Sequence, residues 1–490
     1  MTVYYNENHR PQFHFSPKKN WMNDPNGMVF FNGKYHLFFQ YHPGSSIWGP
    51  MHWGHAISKD LIHWEEMPIA LFPDEHGAIF SGCAVVDWNN TSGFFDNEAG
   101  LVALYTSADH YPNSDRPRQR QSIAYSKDNG ETWIKYEGNP ILTDERITDY
   151  RDPKVFWHQE TKRWVMVLAT GQSITLYTSK NLIEWNMSSE FGSEAGSHQG
   201  VWECPDLFPL MVDEKSDSQK WVMLVSIGDN PEYKEGSRTQ YFIGEFDGNT
   251  FINENSDDTI LWLDYGMDNY AGVSWSDIPS IDGRRIYMGW MSNWRYANQV
   301  PTIGWRSAMT LPRELTLITG ENGVKLIQQP VKEIENIKTN VTEHGELLII
   351  EKEVTPGISI PSLCEIELEF ELDKSTSFDV KIHHSTYEET TISYDFEKEL
   401  VMLDRTKSGD NHFSESFPTI QYAPLQTNQK RFELRIIIDS SSLEVFANKG
   451  EVAITSLIFP HEAAKKLSIS SHKGQTKVNK LKVAELSTIW

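Results

Sequence analysis

Three carboxylates stand in rigid polar-proline settings far apart along the chain: Asn23-Asp24-Pro25-Asn26-Gly27, Arg151-Asp152-Pro153 and Glu203-Cys204-Pro205-Asp206. Proline fixes its own φ and biases the preceding residue toward an extended conformation, so each segment can hold an acid in one orientation. Any one of them alone reads as loop punctuation. Three at equivalent positions of a repeat do not. Two carboxylates facing one another across a pocket suit glycoside hydrolysis, in which one attacks or activates water and the other protonates the leaving oxygen. Arg151 is expected to keep its neighbour Asp152 ionised, because an adjacent cation favours the charged form. A fixed anion there would stabilise an oxocarbenium-like transition state. Glu203, to act as an acid, would have to arrive protonated.

Acids this remote can meet only if a repeating architecture brings them together. Short runs rich in Val, Ile, Phe, Tyr and Trp recur, broken by Asn-Gly, Asp-Gly and Pro, while helical periodicity is scarce; the pattern is all-β. The clearest hairpin joins Met28–Phe31 to Lys34–Gln40 through Asn32-Gly33, a pair that tolerates the positive φ angles of a two-residue turn. Looser copies start at Val85, Lys154, Leu207 and Val273. Three units share a closing turn, Ser58-Lys-Asp-Leu-Ile-His-Trp64, Ser126-Lys-Asp-Asn-Gly-Glu-Thr-Trp133 and Ser179-Lys-Asn-Leu-Ile-Glu-Trp185. Marked at Asp24, Ser81, Asp152, Glu203 and near Val273, the five units recur about every 62 residues. A five-bladed β-propeller fits, with the first strand of each blade lining a central channel. A large sandwich or a pair of small β-domains is the alternative. Past Pro312 the texture changes: Val331–Lys338 reads as a short helical connector, and alternation in Ile366–Leu372, Arg431–Ile436 and Leu443–Phe446 predicts a two-sheet β-sandwich. The expected boundaries are a propeller over 1–330, a linker over 331–343 and a sandwich over 344–490.

Composition narrows the partners. With 44 Lys and Arg against 68 Asp and Glu, the net charge of −24 disfavours a nucleic acid, whose phosphates need clustered cations. Cys83, Cys204 and Cys364 are too few and too widely spaced for a disulfide framework or a four-cysteine zinc site. No apolar run approaches 18 residues, and the first ten residues lack a basic and an apolar region, so no membrane association and a cytoplasmic location are expected, or secretion if the true start lies upstream. His52 and His55 lie three apart on a predicted strand and so on opposite faces, which makes a poor zinc pair. His383-His384 is expected to be a surface pair. Cys204 reads equally as a packing residue or a functional thiol.

In order and context, Trp21-Met-Asn-Asp-Pro-Asn-Gly27, Phe80-Ser-Gly82, Arg151-Asp-Pro153 and Glu203-Cys-Pro205 resemble the motifs of glycoside hydrolase family 32, the invertases, levanases and exo-inulinases. Ser442-Leu-Glu-Val-Phe446 resembles the motif of that family's C-terminal sandwich. The resemblance implies a five-bladed propeller with a β-sandwich, Asp24 as nucleophile, Asp152 as transition-state stabiliser and Glu203 as acid/base, with retention of configuration. It maps the fructose pocket onto Asn23, Gln40, Trp48, Phe80, Ser81 and Arg151, with Trp290 or Trp294 as a further wall, and implies neither metal nor organic cofactor. Gly289–Asn298 and Trp305–Met309 look more like fructan-degrading members than sucrose-6-phosphate hydrolases. An arabinan- or xylan-acting glycosidase, a silent sugar-binding propeller and a fructosyltransferase are the rivals; linkage preference and oligomeric state are not legible.

Overall fold

The computed structural model describes residues 4–490 apart from 97, 216–217, 322, 352–353, 372–376 and 427–430, and not the side chain of Lys473. Met1–Val3 and Leu372, the last residue of an expected alternating strand, lie outside the described residues. The fold is all-β, with two short 3-10 turns at Lys332–Ile337 and Asn448–Gly450. None of its described helical segments is long and apolar enough to cross a membrane.

Five antiparallel sheets form the blades of a propeller, their innermost strands being Asn20–Phe31, Ala78–Asp87, Tyr150–His158, Trp202–Met211 and Tyr270–Ser274. The expected hairpin is present: Phe31 pairs with Lys34 across Asn32 and Gly33, whose φ values of 47° and 78° are those the turn demands. The shared closing turn is built alike in separate blades. Asp60 Oδ1 accepts from the backbone N–H of Ile62 and His63, and Asn181 Oδ1 from Ile183 and Glu184. Each indole that follows donates to the carbonyl of a leucine with positive φ, Trp64 to Leu61 and Trp185 to Leu182.

A propeller has no single core; its apolar residues lie between neighbouring blades. Val29, Phe38 and Trp53 of the first blade pack on Ala84, Leu101 and Tyr105 of the second, and Val167 and Leu176 of the third on Leu207 and Val225 of the fourth. The ring is closed by Asn20 and Trp21 pairing in parallel with Trp305 and Arg306, and by Ser276 of the fifth blade, whose carbonyl accepts from the Phe30 N–H and whose N–H donates to the Met28 carbonyl of the first. Closure leaves the innermost strands without an open flank.

The C-terminal part packs a seven-stranded sheet on a six-stranded one. Alternation is the cause: Ile366, Leu368 and Phe370 point inward onto Phe378, Val380 and Ile382, while Glu367 and Glu369 point out. Two expectations need correction. Only Lys332–Ile337 of the expected linker is a connector, because Lys338–His344 is already a strand of the seven-stranded sheet, paired with Thr476–Leu486. His384 is buried and not on the surface; it bonds Thr390 Oγ1 at 3.1 Å, and burial pushes its imidazole down to about 4.

Buried ions join the propeller to the sandwich. Arg313, at the start of an outer strand of the fifth blade, donates to Asp264 at 2.9 Å, to Gln328 and Thr455 at 2.6 Å each, and to Glu444 of the sandwich motif. His14 lies between Asp439 and Glu444 at 2.7 Å from each. Burial opposes a charge on His14, but hydrogen bonds and attraction from those two carboxylates outweigh it and push its pKa up to about 9. A raised histidine pKa stabilises the fold fully below the unfolded value near 6.5, and that contribution is lost as pH climbs through about 9. Urea unfolding should therefore show stability falling by about 1.4 kcal/mol per pH unit for this one proton within that window. His14→Gln should be less stable at pH 6 and should lack that component of the slope; an unchanged slope would refute the charged histidine. Arg313→Met should lose about 3–5 kcal/mol, since it strands Glu444 and Asp264 in the interior.

Candidate active site

Each innermost strand slips register near its start, and the first strand slips a second time between Asn26 and Val29. The breaks fall between Met22 and Pro25, Ile79 and Gly82, Arg151 and Lys154, Glu203 and Asp206, and Tyr270 and Val273. In every case the inner strand carries one residue more than its partner, which is a β-bulge. Asp152, Cys204 and Ala271, the residues just inside three of the breaks, have φ of 64°, 46° and 53°. Such angles are uncommon outside glycine and re-aim the side chains around them. The acids are thus not at equivalent positions, as the sequence suggested. Glu203 stands before its bulge, Asp152 one residue in and Asp24 two residues in, so the three are staggered within one ring of bulges.

That stagger brings them to one pocket. Asp24 Oδ1 accepts from Asn23 Nδ2 at 2.9 Å and Oδ2 from Ser81 Oγ at 2.7 Å, while Trp21 Nε1 fixes Asn23 Oδ1 at 2.7 Å. Glu203 Oε1 accepts from Arg151 Nε at 3.1 Å and Nη2 at 2.9 Å, and Tyr270 Oη donates to Oε2. Asp152 Oδ2 accepts from the Cys204 backbone N–H at 3.0 Å. Cys204 Sγ lies 3.7 Å from Asp24 Oδ2 and 3.6 Å from Asp152 Oδ2, so the thiol spans two of the acids. Asp24 and Glu203 are partly accessible; Asp152 is buried below them.

Arg151 does not act as the sequence suggested. Its guanidinium is engaged by Glu203 and, at 2.5 Å, by Asp149, and only Nε approaches Asp152 Oδ2, at 3.9 Å. Burial raises the Asp152 pKa; Arg151 opposes, the charges of Glu203 and Asp24 add, and the carboxyl ends at about 7. Burial likewise raises Asp24, against the hydrogen bonds from Asn23 and Ser81. The Cys204 thiol is pushed up by burial and by the three surrounding carboxylates, which keeps it neutral. It is a weak donor between anions and no thiolate nucleophile.

The other expected residues divide by exposure. Gln40 is buried, and its Nε2 meets no acceptor among the described residues. Trp48 is 45% exposed and makes an edge contact with half-buried Phe80, centroids 6.4 Å apart. Trp290 is fully buried, whereas half-buried Trp294 stacks on Trp21 at 5.8 Å. Sequence reasoning missed Tyr270, Asp149 and Gln119, the last lying 3.2 Å from Arg151 Nη1. Tyr270 had a signal: it occupies in the fifth blade the pre-bulge position that Glu203 occupies in the fourth, but the fifth mark was placed near Val273. Among the described residues no group of three or more His, Cys, Asp or Glu is arranged to hold a metal. His55 bonds His36 at 3.1 Å and not His52.

A raised carboxyl pKa works against stability as pH rises, because the native state keeps a proton that the unfolded state has released. Asp152→Asn should therefore raise Tm at pH 8, and the gain should vanish below about pH 3, where the aspartate is protonated folded or unfolded. Calorimetry at the two pH values checks this; no gain at pH 8 would show that the carboxylate is not under electrostatic strain.

Known proteins align with this arrangement along the whole chain. The description "Glycosyl hydrolases family 32 N-terminal domain" matches residues 14–330, and "Glycosyl hydrolases family 32 C terminal" matches residues 325–485. A levanase of Bacillus subtilis is 50% identical over 99% of this chain and 72% of its own length. An extracellular exo-inulinase of Aspergillus niger is 40% identical over 99% of this chain and 96% of its own. Among solved structures, exo-inulinase from Aspergillus awamori superposes with a TM-score of 0.91 at 37% identity, covering both chains completely. β-Fructofuranosidase from Schwanniomyces occidentalis complexed with fructosyl-erythritol gives 0.87 at 33%, covering 99% of each chain. With both halves matched and relatives this similar over nearly its full length, the chain belongs to glycosyl hydrolase family 32.

Proposed function

We propose that this enzyme is a retaining exo-β-fructosidase, removing terminal β-D-fructofuranosyl residues from fructans and sucrose. The single observation that carries the chemistry is the convergence of three acids in one pocket with different supports. Asp24, aimed by Ser81 and Asn23, is the nucleophile that attacks the anomeric carbon. Glu203 is the acid/base. Both its oxygens accept hydrogen bonds in this structure, the arrangement suited to taking a proton from water; when it carries a proton, the Tyr270 hydroxyl can turn from donor to acceptor. Asp152 stays buried beneath and opposes the positive charge developing on the sugar ring. Carboxylates buried close enough to repel one another are relieved by positive charge, so the site favours the transition state over the neutral substrate.

The aromatic residues set the walls. Trp294, accessible and stacked on Trp21, is the wall that meets sugar, and Trp290 is packed behind it. The unpaired Gln40 amide supplies a donor for a fructosyl hydroxyl, since a buried donor without a partner costs about 1–3 kcal/mol. The levanase and exo-inulinase relatives support fructan over sucrose-6-phosphate as substrate. A relative described as extracellular gives the expectation of a cytoplasmic location no support.

Chromatography of products from sucrose, inulin and levan at early and late times tests the reading. Fructose alone from either polymer is expected; early oligosaccharides would mean endo-attack or transfer. Asp24→Asn should abolish turnover of every fructoside, because an amide cannot form the covalent intermediate. Glu203→Ala should slow sucrose cleavage by about 10²–10⁴ and slow an activated fructoside less in its first step, with azide hastening breakdown of the intermediate. Equal losses on both substrates without an azide response would remove Glu203 from the acid/base role.

A further inference from the structure

We infer that the opposite end of the propeller channel holds a second, non-catalytic saccharide site, an inference that rests on the proposed action on polymeric fructans. The acids occupy the starts of the innermost strands. The far ends of the same strands open into a separate cavity of about 600 Å³, within the range of small-ligand sites. Asp206, three residues or about 10 Å beyond Glu203, belongs to this second space. Four blades contribute, each through residues that the catalytic pocket does not use.

Its chemistry is that of a neutral, hydroxyl-rich ligand. Lys154 and Arg285 bring two positive charges, and Asp206, Asp277 and the exposed Glu160 three negative ones, so a phosphate is disfavoured and the surplus of one exposed carboxylate does not call for a cation. Hydrogen-bonding capacity is nonetheless unspent. Asp206 is 1% exposed and serves to fix the floor: its Oδ2 accepts from Ser274 N–H and Oγ at 2.7 Å each and lies 3.5 Å from Lys154 Nζ, while its Oδ1 is buried. Arg285 offers Nη1 weakly to Ser274 Oγ at 3.4 Å and to the Trp275 carbonyl at 3.3 Å, while Nε and Nη2 meet no acceptor there. Fixed donors and acceptors beside flat apolar rings recognise sugars, which present hydroxyls at the edge and C–H groups on the face.

The rings stand at the rim. Trp88 is 59% exposed, yet it is not free to swing: Nε1 donates to Asp277 Oδ1 at 2.9 Å, and its ring meets the edge of Phe31. Asp277 is itself fixed, its Oδ2 accepting from the Val86 N–H at 3.0 Å. Across the cavity Trp157 is held in turn by Gln159 at 2.9 Å and by an edge contact with Trp164. An exposed, pre-oriented indole at a cavity lined by charged and polar side chains is what a short stretch of fructan would occupy. Holding the polymer there would raise the local concentration of chain ends without altering the bond-breaking step.

The test separates polymer holding from catalysis. In native gels containing inulin or levan, Asp24→Asn, which leaves the polymer intact, should be retarded, and Asp24→Asn with Trp88→Ala should be retarded at least threefold less. In the otherwise native enzyme, Trp88→Ala should keep kcat/KM for sucrose within twofold and lose severalfold on the polymer. A crystal soaked with a fructo-oligosaccharide gives a readout that needs no variant: sugar against Trp88 supports the site. Water alone in the cavity, or retardation and polymer kinetics that ignore Trp88, overturns it. An enzyme that releases no fructose from sucrose or inulin would refute the proposed activity, whereas hydrolysis with no Trp88 dependence would refute this site alone.

Discussion

The three acids cluster around the place where each innermost strand leaves its ladder by one residue, Glu203 from the last paired position before the break and Asp24 and Asp152 from within it. The distortion is expensive. Positive φ at Asp152, Cys204 and Ala271 is a conformation that L side chains disfavour by about 1–3 kcal/mol each, and it persists because a fully paired second strand over-determines it. The bulge also explains the prolines. Pro25, Pro153 and Pro205 lie in or against positions where the ladder is broken, so the missing N–H leaves no bond unmade. Gly27, inside the second register break of the first strand with φ of 56°, is required for space as well: a Cβ there would come within 2.6 Å of Phe38 and 2.8 Å of Trp53.

Much of this was legible in the sequence because the relevant signals are local. Alternation in Ile366–Glu371, the Asn32-Gly33 turn and the recurring Ser-Lys-Asp and Ser-Lys-Asn closures each have a short-range cause, and each appears as expected. The proline segments likewise located the acids. What failed depended on contacts made after folding. Arg151 is adjacent to Asp152 in sequence, but the bulge turns the two side chains apart and delivers the guanidinium to Glu203, a residue of the next blade. His384 looked like a surface residue because its partner, Thr390, lies on the neighbouring strand of the hairpin. Tyr270 was missed because the blades were aligned by residue type and not by bulge position.

Buried charge is handled in opposite ways at the two places where it accumulates. At the seam between propeller and sandwich, Arg313, Glu444, Asp264, His14 and Asp439 are mutually paired, and Glu444 is held down to about 2 although burial works against its charge. In the pocket, Asp24, Asp152 and Glu203 face one another with a single guanidinium among them. Strain of this kind survives only where the surrounding frame cannot relax. The seam is well placed to supply that frame.

The frame reaches Glu203 through one short segment. Residues 264–269 run directly into Tyr270, and the sandwich grips them twice. Asp264 accepts from the Thr455 N–H at 2.9 Å and from Arg313, and Asp268 accepts from Arg405 at 2.5 Å and from the Leu457 N–H at 2.8 Å. Asn269, between Asp268 and Tyr270, donates to Asp264 and accepts from Tyr287. A tyrosine that follows a segment tied at both ends has little freedom, and its hydroxyl is the group that fixes Glu203 Oε2. The sandwich therefore need not touch substrate to matter for catalysis. By anchoring Asp264 and Asp268 it sets where Tyr270 stands, and through that hydroxyl it sets the orientation of the Glu203 carboxyl in the cluster of acids.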